Sequence, residues 1–378
     1  MSAAIQLPGR DEPLVIPSPG WAPGCPAPAS RRAYAAAHVA AVGGEVVDWE
    51  STMRFRDHLW AYGFGVAEAM DTAQRGMGLS WGQARELMAR SAARAAERNG
   101  VLACGAGTDQ LPDGESHPIP RIIDAYAEQV GFVQSTGAGV ILMASRALAA
   151  SARGPGDYLG VYGELLRQAE RPVILHWLGE AFDPAQRGYW GADEFGAAAD
   201  TVLELIDRAG GKVDGVKLSL LDAGREVALR RRLPAGVRLY SGDDFNYAEL
   251  IRGDGQGHSD ALLGAFAAIT APAAAALAAL DRGDLASYDA AMAPTVPLSR
   301  LIFEPPTFNY KVGVAFLAWL NGFQPEFAML DGLQRRRPAR HLIRVFERAA
   351  AARALTDPEL AVERMNGLLA TFAGPERV

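Results

Sequence analysis

Lysine is nearly absent from this chain of 378 residues: only Lys212, Lys217 and Lys311 occur, within a combined lysine and arginine total of 37. Arginine is the default cation, so each lysine needs a reason of its own. Cysteine is scarcer still, and Cys25 and Cys104 supply neither a disulfide framework nor a zinc-binding pattern. No charge-free run of about 18 apolar residues occurs, which excludes an obvious membrane span. The alanine-rich stretch 267–280 is broken by Pro272 and reads as a buried packing helix. Basic excess is missing too. A net charge of −7 argues against non-specific nucleic-acid binding, and Arg335-Arg336-Arg337 reads as a solvated helix start. The opening residues lack a basic segment followed by an apolar one, so a cytoplasmic location is expected.

What is present is ample apolar content, 49%, and an alternation of short β-like runs with longer helical stretches. Such alternation favours a parallel sheet wrapped by helices. Strands are expected near 45–48, then within 63–70, 101–105, 139–143, 172–177, 213–221, 237–241 and 259–265. Helices are expected from about Ser80, a plausible N-cap, and around 119–130, 157–169, 193–209 and 222–232. About eight βα units between 45 and 280 fit a closed (β/α)8 TIM barrel better than an open sheet. The expected organisation is a Pro- and Gly-rich arm over 1–30, the barrel over 31–280 and a C-terminal helical extension over 281–378.

Lys217 lies inside the apolar run Val213-Asp-Gly-Val-Lys217-Leu-Ser-Leu-Leu221. Burying an amine disfavours its charged form and makes a nucleophilic neutral form available near neutral pH, as a Schiff-base lysine requires. The bland alternative is a structural lysine paired with Asp214 or Asp244. Side-chain alternation sends Val216, Leu218 and Leu220 toward the helices, and Lys217 and Ser219 into the barrel. His176 ends the neighbouring run Val173-Ile-Leu-His176, and Ser241-Gly-Asp-Asp244 ends the strand after the lysine. Polar residues thus collect at strand C-termini, where barrel active sites lie. Asp244 could equally cap a following helix.

At these segments the chain resembles the dihydrodipicolinate synthase and N-acetylneuraminate lyase superfamily of class I, Schiff-base-forming aldolases. Gly215-Val-Lys217 with Leu218-Ser219 is similar to the family's Gly-Ile-Lys segment, whose lysine makes the imine. Pro172-Val-Ile-Leu-His-Trp177 is similar to the Pro-Val-Ile-Leu-Tyr-Asn strand that carries the catalytic tyrosine. Asp71-Thr-Ala-Gln-Arg-Gly-Met-Gly-Leu-Ser80 matches the register of Gly-Thr-Thr-Gly-Glu followed by Leu-Ser, and Ser241-Gly-Asp-Asp244 resembles the family's Ser-Gly-X-Asp. The run from Ala69 to Gly78 resembles a divergent, uncharacterised branch of the superfamily.

The resemblance implies a class I aldolase or lyase that needs no metal and no organic cofactor, with Lys217 and His176 as catalytic residues. Asp71, Thr72, Gln74, Arg75, Arg146, Ser219, Ser241, Gly242 and Asp244 become candidate substrate contacts. Histidine replaces the family's tyrosine, and its ordinary pKa near 6.5 suits proton transfer. Asp71 puts a negative charge where the family binds a 2-oxo acid carboxylate, to be offset by Arg75 or Arg146, and Ala73 removes a hydroxyl. A hydroxylated carbonyl compound (keto sugar, sugar acid or 2-oxo acid) is the expected small-molecule partner, with no nucleic acid and no membrane. Relatives of this kind imply a homo-oligomer, dimer or tetramer, and a place in carbohydrate metabolism. Two alternatives stay open: a hydro-lyase using the same imine, or a divalent-metal sugar isomerase-like barrel with His176, Glu180, Asp214, Asp244 and His258 as ligands. Gly253-Asp-Gly-Gln-Gly-His258 is a weak phosphate-nest signal.

Overall fold

The computed structural model describes residues 3–112 and 114–372. Eight parallel strands close into a barrel: β1 (Ala33–Ala36), β2 (Gly65–Glu68), β3 (Leu102–Ala106), β4 (Gly139–Leu142), β5 (Val173–Leu178), β6 (Val213–Ser219), β7 (Arg238–Ser241) and β8 (Asp260–Leu263). Each strand pairs with its sequence neighbour, and β8 pairs back onto β1 through Leu262 and Tyr34. The expected (β/α)8 TIM barrel with C-terminal helices is the observed fold. The period of two along each strand divides its residues between layers. Tyr34, Ala67, Ala103, Ile174, Tyr240 and Leu262 fill the interior, while Val173, Leu175, Val216 and Leu218 face the surrounding helices.

Local signals in the sequence produce the helices. Ser80 accepts from Gln83 N, and the Gln83 side chain accepts from Ser80 N, a capping box that starts helix Trp81–Arg98. Asp222 and Glu194 cap helices Ala223–Arg230 and Phe195–Arg208 in the same way. At the N-terminal end of the barrel, Asp214 accepts from Arg238 Nη1 at 2.7 Å, Arg32 Nη1 at 3.2 Å and the Tyr240 hydroxyl at 2.5 Å. This aspartate closes the bottom of the barrel and is committed there.

One fully buried ion pair ties the barrel wall to two helices. Arg56, on helix Trp49–Ala61, holds both oxygens of Glu68 on β2 at 2.8 Å. Ser91, on helix Trp81–Arg98, donates to the same carboxylate at 2.6 Å, and Arg56 Nη1 donates to the Thr52 and His38 carbonyls.

Glu226 is a second buried carboxyl, 1% exposed, accepting from Ser259 Oγ at 2.7 Å and Ser241 Oγ at 3.1 Å. Burial pushes it up to about 8, with Asp243 adding and the two serines opposing. A raised carboxyl stabilises the fold fully below its unfolded value, near 4.5, and that contribution is lost as pH rises through about 8. Relative to the parent, Glu226→Gln is therefore expected to gain on the order of 3 kcal/mol between pH 5 and pH 8. Urea midpoints at the two pH values read this directly, and an unchanged difference would show that the carboxyl is ionised throughout.

Three expectations are corrected. The first barrel strand is Ala33–Ala36, not 45–48; the latter region forms a two-stranded antiparallel ribbon, Ala41–Val42 with Val46–Val47, turning at Gly43 and Gly44, both at positive φ. The N-terminal arm contains structure of its own, pairing Ala3–Ile5 with Leu14–Ile16, and its Ile5 and Ile16 are buried in the apolar cluster of the C-terminal helices. Arg337 does not start a solvated helix: it is buried and donates to the carbonyls of Ile302, Glu304, Pro305 and Pro306. The stretch around Pro272 is the buried helix Thr270–Asp281. After it come Leu285–Met292, Thr295–Ile302, Tyr310–Leu320, Ala339–Ala351 and Pro358–Phe372; residues 373–378 of the expected extension lie outside the described residues. Among the described residues no helix is long and apolar enough to cross a membrane.

Candidate active site

Lys217 stands inside the barrel on β6, level with His176 on β5 and Tyr240 on β7. It is 7% exposed and enters no hydrogen bond or ion pair among the described residues. Burial lowers the amine's pKa; Asp71 and Asp244 pull in the other direction. Room for the side chain comes from Gly242, whose N–H donates to the Leu218 carbonyl at 2.9 Å. A Cβ there would collide with Ser219 Oγ and stand 3.1 Å from Lys217 Cε, so the close approach requires glycine.

Around the amine, His176 Nε2 lies 3.3 Å from Ser219 Oγ, and its Nδ1 is buried with no hydrogen-bond partner among the described residues. Burial, reinforced by Lys217, holds this imidazole well below its ordinary pKa and so favours its neutral form. Asp244 accepts the Ala265 N–H at 2.9 Å, which starts the short helix Ala265–Ala268, and burial raises its pKa. Asp244 does not cap the helix that follows it in the chain: the Phe245 and Asn246 N–H groups donate to Asp243 Oδ1 at 2.9 and 3.0 Å, while Asp244 acts on Lys217.

Thr72 Oγ1 lies 2.8 Å from the hydroxyl of Tyr310, a residue of the C-terminal extension that the sequence reading did not single out. Tyr310 is fully enclosed, its ring stacked on Phe303 at 4.4 Å, and burial raises its phenol well above the ordinary value with Asp71 and Asp244 adding. The same two carboxylates thus act on the phenol and on the lysine amine.

The remaining candidates divide. Arg146 gives its Nε to Asp183 at 2.6 Å and lines the mouth. Arg75 also lines the mouth, but its five N–H groups go to Asp109 twice, Gln129, and the Ala69 and Gly105 carbonyls. A guanidinium has five donors, so Arg75 braces the ends of β2 and β3 with none to spare. Gln74 bonds Met77 and both backbone groups of Leu330, tying the β2 loop to the extension. Ser241 points outward to Glu226. The metal constellation does not assemble: Asp214 is at the opposite end of the barrel, Glu180 and His258 are exposed, and no group of three or more ligating residues occurs among the described residues.

Two adjoining cavities open at the C-terminal mouth. One, about 240 Å³, is bounded by Gly107, Thr108, Asp109, Met143 and Ser145; the other, about 200 Å³, by Met77, Phe182, Phe308, Tyr310 and Lys311. Asp71, Arg75, Arg146, Leu178 and Asp183 belong to both. Lys217 lines neither. Its register partner is His176, whereas Leu178, two residues further along β5, is the wall of both cavities. Asp71 connects the two, since it lines both cavities and acts on the amine.

Comparison with known proteins agrees with this architecture. The family described as "Protein of unknown function (DUF993)" matches residues 14–374. No curated protein matches the chain. Among solved structures, a putative dihydrodipicolinate synthetase from Pseudomonas aeruginosa aligns at a TM-score of 0.65 and 15% identity, covering 86% of this chain and 99% of the other. YagE, a prophage protein of the dihydrodipicolinic acid synthase family from E. coli K12 in complex with pyruvate, aligns at 0.65 and 13% identity over 83% and 96%. The 4-hydroxy-tetrahydrodipicolinate synthase from Methylacidiphilum fumariolicum SolV aligns at 0.62 and 18% identity over 86% and 99%. At such identities the likeness establishes a shared fold, the one implied by the motifs around Lys217.

Proposed function

The chain belongs to the DUF993 family, described as proteins of unknown function, and from that starting point we propose that it is a class I aldolase or lyase in which Lys217 forms a Schiff base with a hydroxylated carbonyl substrate. The observation that carries this reading is a buried amine that makes no hydrogen bond or ion pair among the described residues, acted on by two carboxylates, one of which lines the open cavities at the C-terminal mouth. Barrels of this type place their chemistry at that face, and a lysine in poorly solvating surroundings has a neutral, nucleophilic form at lower pH than an exposed one.

In the proposed sequence the Lys217 nitrogen attacks the carbonyl carbon, and the carbonyl oxygen leaves as water after two proton transfers. The resulting iminium accepts the electron pair of the bond between its α- and β-carbons as it breaks, giving an enamine that takes a proton at the α-carbon and is hydrolysed by water to free Lys217 and the first fragment. The second fragment departs as an aldehyde once its hydroxyl has given up a proton; condensation is the reverse. Asp244 suits the role of proton acceptor because burial raises its pKa toward that of a hydroxyl. His176, expected to move the proton, is held neutral, which supports a role as hydrogen-bonding partner of Ser219 and of the group attached to Lys217. Thr72 with Tyr310 offers hydroxyls to the substrate, and Asp71 and Arg146 stand at its path inward. Keto sugars, sugar acids and 2-oxo acids fit this scheme, and assembly into a dimer or tetramer in the cytoplasm belongs to the same reading.

Incubation with a panel of carbonyl compounds followed by borohydride, with peptide mass spectrometry, tests the proposal. The expected result is a reduced adduct on Lys217. Adducts on Lys212 or Lys311 alone, or none with any probe, would remove it.

A further inference from the structure

The smaller of the two mouth cavities, which we term the outer cavity, contains a second buried amine that the chemistry at Lys217 leaves unused. Lys311 is the second residue of helix Tyr310–Leu320, 2% exposed, and lines the cavity wall beside Phe182, Phe308 and Tyr310. Its nitrogen donates to the Phe308 carbonyl at 3.0 Å and lies 4.7 Å from the Tyr310 ring centre. A carbonyl and a ring face satisfy one donor and soften the charge, but neither supplies a counter-ion. Lys311 makes no ion pair among the described residues. Of the two wall carboxylates that act on it, Asp183 already holds Arg146 Nε at 2.6 Å.

Burial pulls this amine down to about 8, while Asp71 and Asp183 oppose and Arg146 adds to the fall. A cation in the first turn of a helix gains nothing from the helix dipole, and an anion that joins it there is favoured. A structural lysine could instead extend its amine to solvent, as long cationic side chains commonly do. This one remains covered within an apolar wall, facing a cavity of about 200 Å³.

We propose that the outer cavity is an anion subsite, in which Lys311 receives a carboxylate or phosphate group carried at the end of the substrate remote from the carbonyl. The assignment of the carbonyl end rests on the Lys217 reading above; the anion subsite does not. Asp71 acts on both lysines and lines both cavities. The stretch of substrate beside it is therefore neutral and hydroxylated, and the acidic group lies beyond it.

The scarcity of lysine makes this testable in one measurement, because amine acylation followed by mass spectrometry reports on three sites. Inorganic phosphate, or acetate in a parallel arm, is expected to reduce acylation of Lys311 at least threefold while leaving half-buried Lys212 unchanged. Protection by phosphate alone assigns a phosphorylated substrate, and protection by acetate alone assigns a carboxylate. Absence of protection by both overturns the subsite, whatever happens at Lys217. In a second measurement, borohydride trapping compares dihydroxyacetone with dihydroxyacetone phosphate and 4-oxopentanoate, whose anionic groups stand away from the carbonyl. Preference for an anionic probe over the neutral one is expected to fall at least tenfold in Lys311→Met and to recover in part in Lys311→Arg. An equal loss for neutral and anionic probes, or a reduced adduct on Lys311 itself, also overturns the proposal. Failure of every probe to trap at Lys217 would instead count against the Schiff-base reading.

Discussion

Replacing Lys217 by methionine is expected to abolish the borohydride-trapped adduct and to slow any turnover by at least about 10³-fold, roughly 4 kcal/mol of barrier. Methionine keeps the length and volume of the side chain and removes only the amine. Packing around Gly242, Ser219 and His176 is therefore retained, and the stability of the fold is expected to hold or rise because a buried ionisable group is gone. Lys212→Met is the control, since its amine bonds the Ala169 carbonyl on the outside of the barrel. Turnover at parental levels in Lys217→Met, measured on a substrate that traps in the parent, would show that the imine is not on the reaction path. The loss must appear together with an unchanged thermal transition to count as chemical.

The largest stability effect is expected at the Arg56–Glu68 pair. Both side chains are fully buried, and the carboxylate is held by two guanidinium bonds and the Ser91 hydroxyl. Removing one member leaves the other charge in the interior without its partner, which costs about 3–5 kcal/mol. Arg56→Met and Glu68→Met should each fall in this range by urea denaturation. The double substitution should cost clearly less than the two added together, because neither charge is then stranded. A single substitution costing under about 1 kcal/mol would mean that water reaches the pair. Glu68 ends β2, immediately before the loop that carries Asp71 and Thr72, so the same variants also test how firmly that loop is anchored.

Most of the barrel was legible because its strands are short apolar runs bounded by turns, as in Val173–Leu178 and Val213–Ser219. The first strand was not. Ala33–Ala36 contains three alanines and a tyrosine, with no β-branched residue, and it follows an arm rich in proline and glycine. Val46 and Val47 carried the stronger local β signal and drew the strand to the wrong place. Alternation along β6 and β5 was enough to put Lys217, Ser219 and His176 on one inner face, since a period of two leaves no freedom once the apolar partners are assigned. What it could not give was bonding. That Arg75 spends every donor on its own framework, or that Ser241 turns to Glu226, depends on neighbours distant in the chain. Tyr310 and Lys311 were missed for a related reason. Their helix is buried on nearly every side and has no periodicity to mark a functional face. Yet Lys311 carried the signal that identified Lys217: a rare lysine in an apolar segment.

Tyr310 and Lys311 are consecutive residues, one bonded to Thr72 inside the mouth and the other facing the outer chamber. A helical turn does not stretch, so the interval between phenol and ammonium is set like the jaws of a calliper. On the proposed reading, the reach of a bound molecule is gauged by a segment outside the ring of strands, and substitutions that shift this helix along its axis would retune the accepted chain length without touching Lys217.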